Sequence, residues 1–171
     1  MRALVVYESM YGNTHRVAQA IAEGLGEATL VEVGEAPTTL PSDVRLLIVG
    51  GPTHVHGMSR ERTRHDAAAR VDRPVESPTI GIREWLGRLQ PGEDVLVATF
   101  DTRIDKPAIL TGSAAKGAAG TVKHQRARLV GTASFVLDQG SGEFDRISPV
   151  ELERARAWGR TLAEHLPVAI G

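Results

Sequence analysis

The sequence predicts an α/β fold, a doubly wound three-layer sandwich on a five-stranded parallel sheet of order 2-1-3-4-5. Three observations predict it. Short β-branched apolar runs recur, with apolar residues at consecutive positions, as in strands buried on both faces. Stretches of helical periodicity lie between them. Gly and Pro punctuation separates the two kinds of segment. Strands alternating with helices imply right-handed crossovers and helices on both faces of the sheet. The 171 residues suit one domain, 1–171.

The elements follow in order. Arg2–Tyr7 (RALVVY) reads as the first strand, and Gly12-Asn13 as a turn after it. Thr14, Val17, Ala18, Ile21, Ala22 and Leu25 then repeat at helical spacing, and Gly24 and Gly26 end that helix. Thr29–Val33 is a short second strand; Pro37 and Pro41 mark the connection to the third, Arg45–Val49. Residues 53–80 are the hardest to read. Ser59–Val71 can hold a short Arg-rich helix, and Pro74 and Pro78 exclude regular helix before Gly81. Ile82, Trp85, Leu86 and Leu89 line an amphipathic helix closed by Pro91-Gly92. Asp94–Phe100 is the fourth strand, and a loop through Pro107 leads to a small-residue helix at Gly112–Gln125. Arg128–Leu137 is the fifth strand, kinked near Gly131, and Gln139–Gly142 a turn. The last helix starts at Ser148-Pro149, with Glu151 three residues past the cap, and runs through Leu152, Ala155, Trp158, Leu162 and Leu166. Trp85 and Trp158 lie on apolar helix faces and are read as core.

Composition excludes several classes. With 42% hydrophobic and 24% charged residues, the chain has the profile of a globular protein. A net charge of −1 gives no case for nucleic-acid binding. The absence of cysteine excludes disulfides, Cys-ligated zinc and iron–sulfur clusters within this chain. No apolar run approaches the roughly 18 residues of a membrane span, so a cytoplasmic location is the expectation.

In a sheet of this order, ligands bind at the carboxyl ends of the strands near the switch in strand order. Three loops lie there. The first is Glu8-Ser9-Met10-Tyr11-Gly12-Asn13-Thr14. A helix N-terminus offers N–H groups and a positive dipole end, and the Ser9 and Thr14 hydroxyls add donors. Gly12 lets a ligand approach the backbone. No Lys or Arg precedes Arg16, so a phosphate here would rest on neutral donors. The same residues equally read as a strand–turn–helix connection in which Asn13 or Thr14 caps the helix. Neither a Walker A sequence nor a G-x-G-x-x-G follows the first strand.

The second loop is Pro52-Thr53-His54-Val55-His56-Gly57-Met58-Ser59. It has no aromatic ring; its histidines can titrate near neutral pH or lie solvated in a mobile loop. The His-x-His pair lacks further ligands in sequence, and no metal site is expected. The third loop, Thr99-Phe100-Asp101-Thr102-Arg103, offers backbone groups and Thr102 to a ligand. Arg103 reads either as an inward-turned cation beside the ligand or as an exposed loop charge. The mixed charges of Arg60–Arg73 read as a solvated face or, alternatively, a flap over the site.

Tyr7–Leu25 resembles the phosphate loop and first helix of flavodoxins, with Ser9, Gly12, Asn13 and Thr14 on the family pattern. Gly50-Gly51-Pro52-Thr53 resembles the family's turn after the third strand. The Ser-Met-Tyr-Gly-Asn-Thr form is similar to flavodoxin modules of flavodiiron proteins and to some quinone-reductase relatives, and the uninterrupted fifth strand to short-chain flavodoxins. The resemblance implies FMN, its phosphate on Ser9, Met10, Tyr11, Gly12, Asn13 and Thr14. It places the isoalloxazine ring between Pro52, Thr53, His54, Val55, His56 and Gly57 on one side and Phe100, Asp101, Thr102 and Arg103 on the other. The implied function is electron transfer or FMN-dependent oxidoreduction, with a redox protein or a small acceptor as partner. A quinone reductase using NAD(P)H, in an oligomer, and a flavin-free interaction module remain as alternatives. Flavodoxin carriers are typically acidic, and this chain is not.

Overall fold

In the computed structural model, residues 2–92, 94–106, 108–138 and 146–166 are described, with only the backbone of Ala108 and Ile109. The turn expected at Gln139–Gly142 and Pro107 lie outside them. The sheet is set by β1 (Arg2–Tyr7), β2 (Ala28–Glu32), β3 (Val44–His54), β5 (Leu96–Ile104) and β6 (Arg128–Asp138). These five run parallel in the order β2-β1-β3-β5-β6, which is the expected 2-1-3-4-5 topology. Two antiparallel strands of two residues each add to it. β4 (Gly57–Met58) folds back on β3, and β7 (Arg146–Ile147) pairs with the end of β6. Neither is legible in sequence, because two residues are too few for a period.

Alternation along the strands sorts the apolar residues into two cores. Ala3, Val5, Tyr7, Ile48 and Phe100 face α1 (Asn13–Leu25) and α6 (Pro149–Ala163). Leu4, Val6, Leu47, Val49 and Val97 face α3 (Ile82–Arg88) and α5 (Ala114–His124). Both faces are therefore covered, as apolar runs without alternation require. Trp85 is fully buried and donates its indole N–H to the Ala36 carbonyl at 3.2 Å. Trp158 is half-buried, edge-on to Phe135.

Two short helices complete the chain, α2 (Glu61–Ala68) and the four-residue α4 (Ala108–Thr111). Gly24 does not end α1; it lies within it, at the crossing with α6. A Cβ on Gly24 would stand 2.1 Å from the Arg156 carbonyl oxygen, and one on Gly159 would stand 2.3 Å from that of Ile21. The two glycines let the helix backbones touch. The register of β5 and β6 shifts between Val97 and Ala98, opposite Leu129 and Gly131, where the kink was expected. Ser148 caps α6 as read, its hydroxyl accepting from the Glu151 N–H at 3.3 Å. Among the described residues, no helix is long and apolar enough to cross a membrane.

Candidate functional site

A cleft of about 740 Å³ opens at the carboxyl ends of β1, β3 and β5. All three predicted loops reach it. Ser9, Met10, Tyr11, Asn13 and Thr14 line one end, Pro52 to His56 a wall, and Thr102, Arg103 and Ile104 the wall opposite. α2 contributes Thr63, Asp66, Ala67 and Arg70, and Leu110, Thr111 and Leu137 close the far side.

At the first end the donors are hydroxyls. Ser9 is fully buried, and its Oγ accepts from the Gly12 N–H at 3.1 Å, so its own hydrogen can point to a ligand. Thr14 Oγ1 and Thr102 Oγ1 lie 2.7 Å apart. Two hydroxyls sharing one hydrogen bond keep a second hydrogen to donate. Gly12 sits at φ 98° as the N-cap of α1 with no side-chain cap, so neither Asn13 nor Thr14 caps this helix. Asn13 Oδ1 instead accepts from the Ile147 N–H at 3.1 Å, tying the loop to β7. This partner was invisible in sequence, since 134 residues separate the two.

A strap after α2 steadies the loop. The Ser77 and Glu76 N–H groups donate to the Ser9 and Met10 carbonyls at 2.9 and 3.2 Å. The Ser77 hydroxyl accepts from the Ser9 N–H at 3.0 Å, and the Tyr11 hydroxyl donates to the Ala67 carbonyl at 2.8 Å. Met10, Ala67 and Val75 form a small core of their own beneath this cover. Glu76 Oε1 lies 3.4 Å from where a Gly12 Cβ would stand, and the carboxylate is 3.5 Å from His15 Nδ1. His15 in turn stacks on Tyr7, with ring centroids 4.6 Å apart. Arg60–Arg73 is thus not merely a solvated face. Arg64 is buried within it, paired through both terminal nitrogens with Glu84 at 3.1 and 3.2 Å, and donates to Ser59 Oγ at 2.8 Å.

The second loop is the hairpin of β3 and β4, with Val55 and His56 at its tip. Val55 is 80% exposed, and His56 takes φ 66°. His54 is half-buried, and its pKa falls to about 4 because burial, then the Arg64 charge, disfavour the imidazolium. It is neutral at pH 7. Gly57 pairs with His54 in β4 and is buried behind the cleft wall.

The third loop divides. Thr102 and Arg103 face the cleft, with Arg103 Nη1 donating to the Lys106 carbonyl at 2.6 Å. Phe100 does not: it is fully buried in the α1–α6 core, 6.4 Å from Phe135 and edge-on to it. Its ring occupies the place of a side chain on Gly50, where a Cβ would stand 2.2 Å away. Depth explains the correction: Phe100 shares its sheet face with Thr102 but lies two residues further from the strand end, beneath α1 and α6. Asp101 is also fully buried, toward α5. Its Oδ2 accepts from Thr53 Oγ1 at 3.0 Å, Ser113 Oγ at 2.6 Å and the Ala115 N–H at 3.0 Å.

Sequence reading missed the polar group at the end of β1. Glu8 is fully buried, and its Oε2 accepts from the Ile82 N–H at 2.9 Å. Burial pushes its pKa up against the opposing pull of Ser59, Ile82 and Arg64. Among the described residues, Glu8 Oε1 and Asp101 Oδ1 find no hydrogen-bond partner. The only signal was position: an acid directly after a buried strand. Among the described residues, no group of three or more His, Cys, Asp or Glu is placed to hold a metal.

Fold and cleft together define a flavodoxin-like α/β protein. The family model described as Flavodoxin matches residues 5–76. Flavodoxin 1 from Bacillus cereus superposes with a TM-score of 0.66, covering 98% of this chain and 100% of that one at 12% identity. The flavodiiron core of a Synechocystis protein gives 0.62, covering 96% of this chain and 35% of that one at 17% identity. A short-chain flavodoxin associated with a bacterial microcompartment gives 0.61, covering 96% and 97% at 14% identity. In sequence, the chain is 50% identical over 46 residues to an NAD(P)H dehydrogenase (quinone) of Geotalea uraniireducens, 26% of this chain and 23% of that one. It is 43% identical over 60 residues to flavodoxin FldP of Pseudomonas aeruginosa, 32% of each. The matched stretch is thus a quarter to a third of these relatives' own length. The chain shares the flavodoxin fold, and the relatives that match part of it carry the names flavodoxin and NAD(P)H quinone dehydrogenase.

Proposed function

We propose that this chain binds FMN in the cleft and works as a redox protein. The carrying observation is the polarity gradient of one cleft. Hydroxyls and a helix N-terminus stand at one end, and apolar side chains (Val55, Ile104, Leu110, Leu137) at the other. That division fits a molecule with an anionic group and a large flat ring. Ser9, Thr14 and Thr102 would hold the phosphate with neutral donors and the dipole of α1. The hairpin wall and Ile104 would shield the ring, with neutral His54 as a hydrogen-bonding group beside it. Bound FMN supplies reversible electron and hydride transfer, and the chain's part is to hold, tune and expose it.

The open mouth suits an acceptor that comes to the ring. Val55 and Leu110, 80% and 64% exposed, stand there as an apolar rim for a redox protein or a quinone. Arg70 and Arg103 on the cleft walls favour the reductase reading, as cations for the phosphates of NAD(P)H. A second copy closing the mouth belongs to that reading, and light scattering on a sizing column tests it.

The first experiment is a visible spectrum after loading with FMN and desalting. A retained flavin band, with riboflavin bound at least about tenfold more weakly, supports the proposal, since the phosphate contacts are worth at least that factor. No retained flavin rejects it and favours a flavin-free interaction module. Rapid oxidation of NADPH by the loaded protein, with a quinone present, then selects the reductase over the carrier.

A further inference from the structure

We propose that the β3–β4 hairpin is a rigid wall clamped at both feet by buried polar side chains, and that this pre-set wall makes the cleft selective for a flat ring. The proposal rests on the FMN reading above and names the residues that enforce it.

A hairpin with two cross-strand pairs is marginal by itself. Here each foot is fastened to a different helix. On the β3 side, the Thr53 hydroxyl donates to Asp101 Oδ2 and accepts from the Ala114 N–H, both at 3.0 Å. Asp101 and Ser113 fix that junction to the N-terminus of α5. On the other side, Arg83 donates to the Met58 and Ser59 carbonyls at 2.8 and 3.1 Å. The Arg64 guanidinium, itself gripped by Glu84, donates to Ser59 Oγ. Ser59 Oγ, Glu8 Oε2 and Arg64 Nη1 stand 2.5, 2.6 and 2.7 Å from where a Gly81 Cβ would lie, so a side chain there would displace these groups from the junction. At the tip, the His56 backbone lies against Gly112, where a Cβ would stand 2.4 Å away.

Buried charged partners make such feet costly to break, because a lost partner leaves a desolvated group unpaired. A wall held in this way needs no ordering when a ligand enters, and preorganisation of this kind raises affinity for a rigid flat ligand. Thr53 and Ser59 act through the wall and are positioning residues. The wall bears on the ring, whereas the phosphate end lies at the β1–α1 loop and Thr102.

The test uses Thr53→Val and Ser59→Ala, with Thr53→Ser as the conservative control. Amide exchange of residues 54–57 in the flavin-free protein should accelerate about tenfold in both variants, as local opening becomes easier. Affinity for FMN and for riboflavin should fall together, about tenfold each, while binding of inorganic phosphate stays within about twofold. Thr53→Ser should restore both readings. Unchanged exchange in both variants overturns the clamp. So does loss of FMN affinity without loss of riboflavin affinity, which would assign these residues to the phosphate. If Thr53→Val does not fold, Ser59→Ala carries the same test. Wild-type protein that holds no flavin defeats the function proposed above; wild-type protein that holds FMN while both variants match it defeats the wall alone.

Discussion

Thr14 shows how a single hydroxyl joins fold and site. It is buried, 2.7 Å from the Thr102 hydroxyl, at the end of the cleft where donors gather. Replacing it with Val should weaken FMN binding about tenfold and cost about 1 kcal/mol of stability through the widowed Thr102 hydroxyl. Isothermal titration and urea melts measure the two effects, and unchanged FMN affinity would move the phosphate elsewhere. His54 makes a prediction in pH. Its folded pKa of about 4 lies below the ordinary 6.5, so between these values the unfolded chain binds more protons. Its contribution to stability is complete above pH 6.5 and is lost as pH falls toward 4. Glu8, with a raised pKa, works in the opposite sense, adding stability as pH falls. Comparison of wild type with His54→Asn in melts at pH 7.5 and 5 isolates the histidine. The variant should lose less stability on acidification, and equal losses would contradict a desolvated His54.

Helices respond to glycine substitution according to what lies opposite. Ala exceeds Gly in helix propensity by about 1 kcal/mol. Gly120→Ala on α5 should gain about that much, since among the described residues a Cβ there meets nothing within 4 Å. Gly24→Ala should instead destabilise, because the 2.1 Å contact forces α1 and α6 apart and overpacking costs about 1–3 kcal/mol. Thermal melts of the pair separate intrinsic propensity from helix packing. A stabilised Gly24→Ala would mean that the crossing is looser than this geometry.

Across the whole molecule, Arg64 ties the segment over the cleft to the sheet. It is 3% exposed, and its partners Ser59 and Glu84 come from the hairpin and from α3. Arg64→Ala should cost roughly 3 kcal/mol, the scale for removing one partner of a buried pair. Arg64→Met keeps the stem's packing and should cost less. Denaturant midpoints of the two variants check the order; equal costs would assign the whole effect of Arg64 to its charge pair and none to packing of its stem.

The sequence by itself determined the five parallel strands, their helices, the order of the sheet and the three loops at its carboxyl edge. Those features rest on local periodicity and on turn residues within a few positions of one another, which a linear reading captures. Tertiary structure decided the rest. It packed Phe100 into the core against Gly50 and Phe135, and it assigned Asn13 to β7. It buried Arg64 in a segment whose composition reads as solvated, and gathered Glu8, Ser59, Arg64 and Glu84 at one junction. Each of these depends on pairings between residues distant in the chain, and no local pattern encodes which polar side chain will find a buried partner.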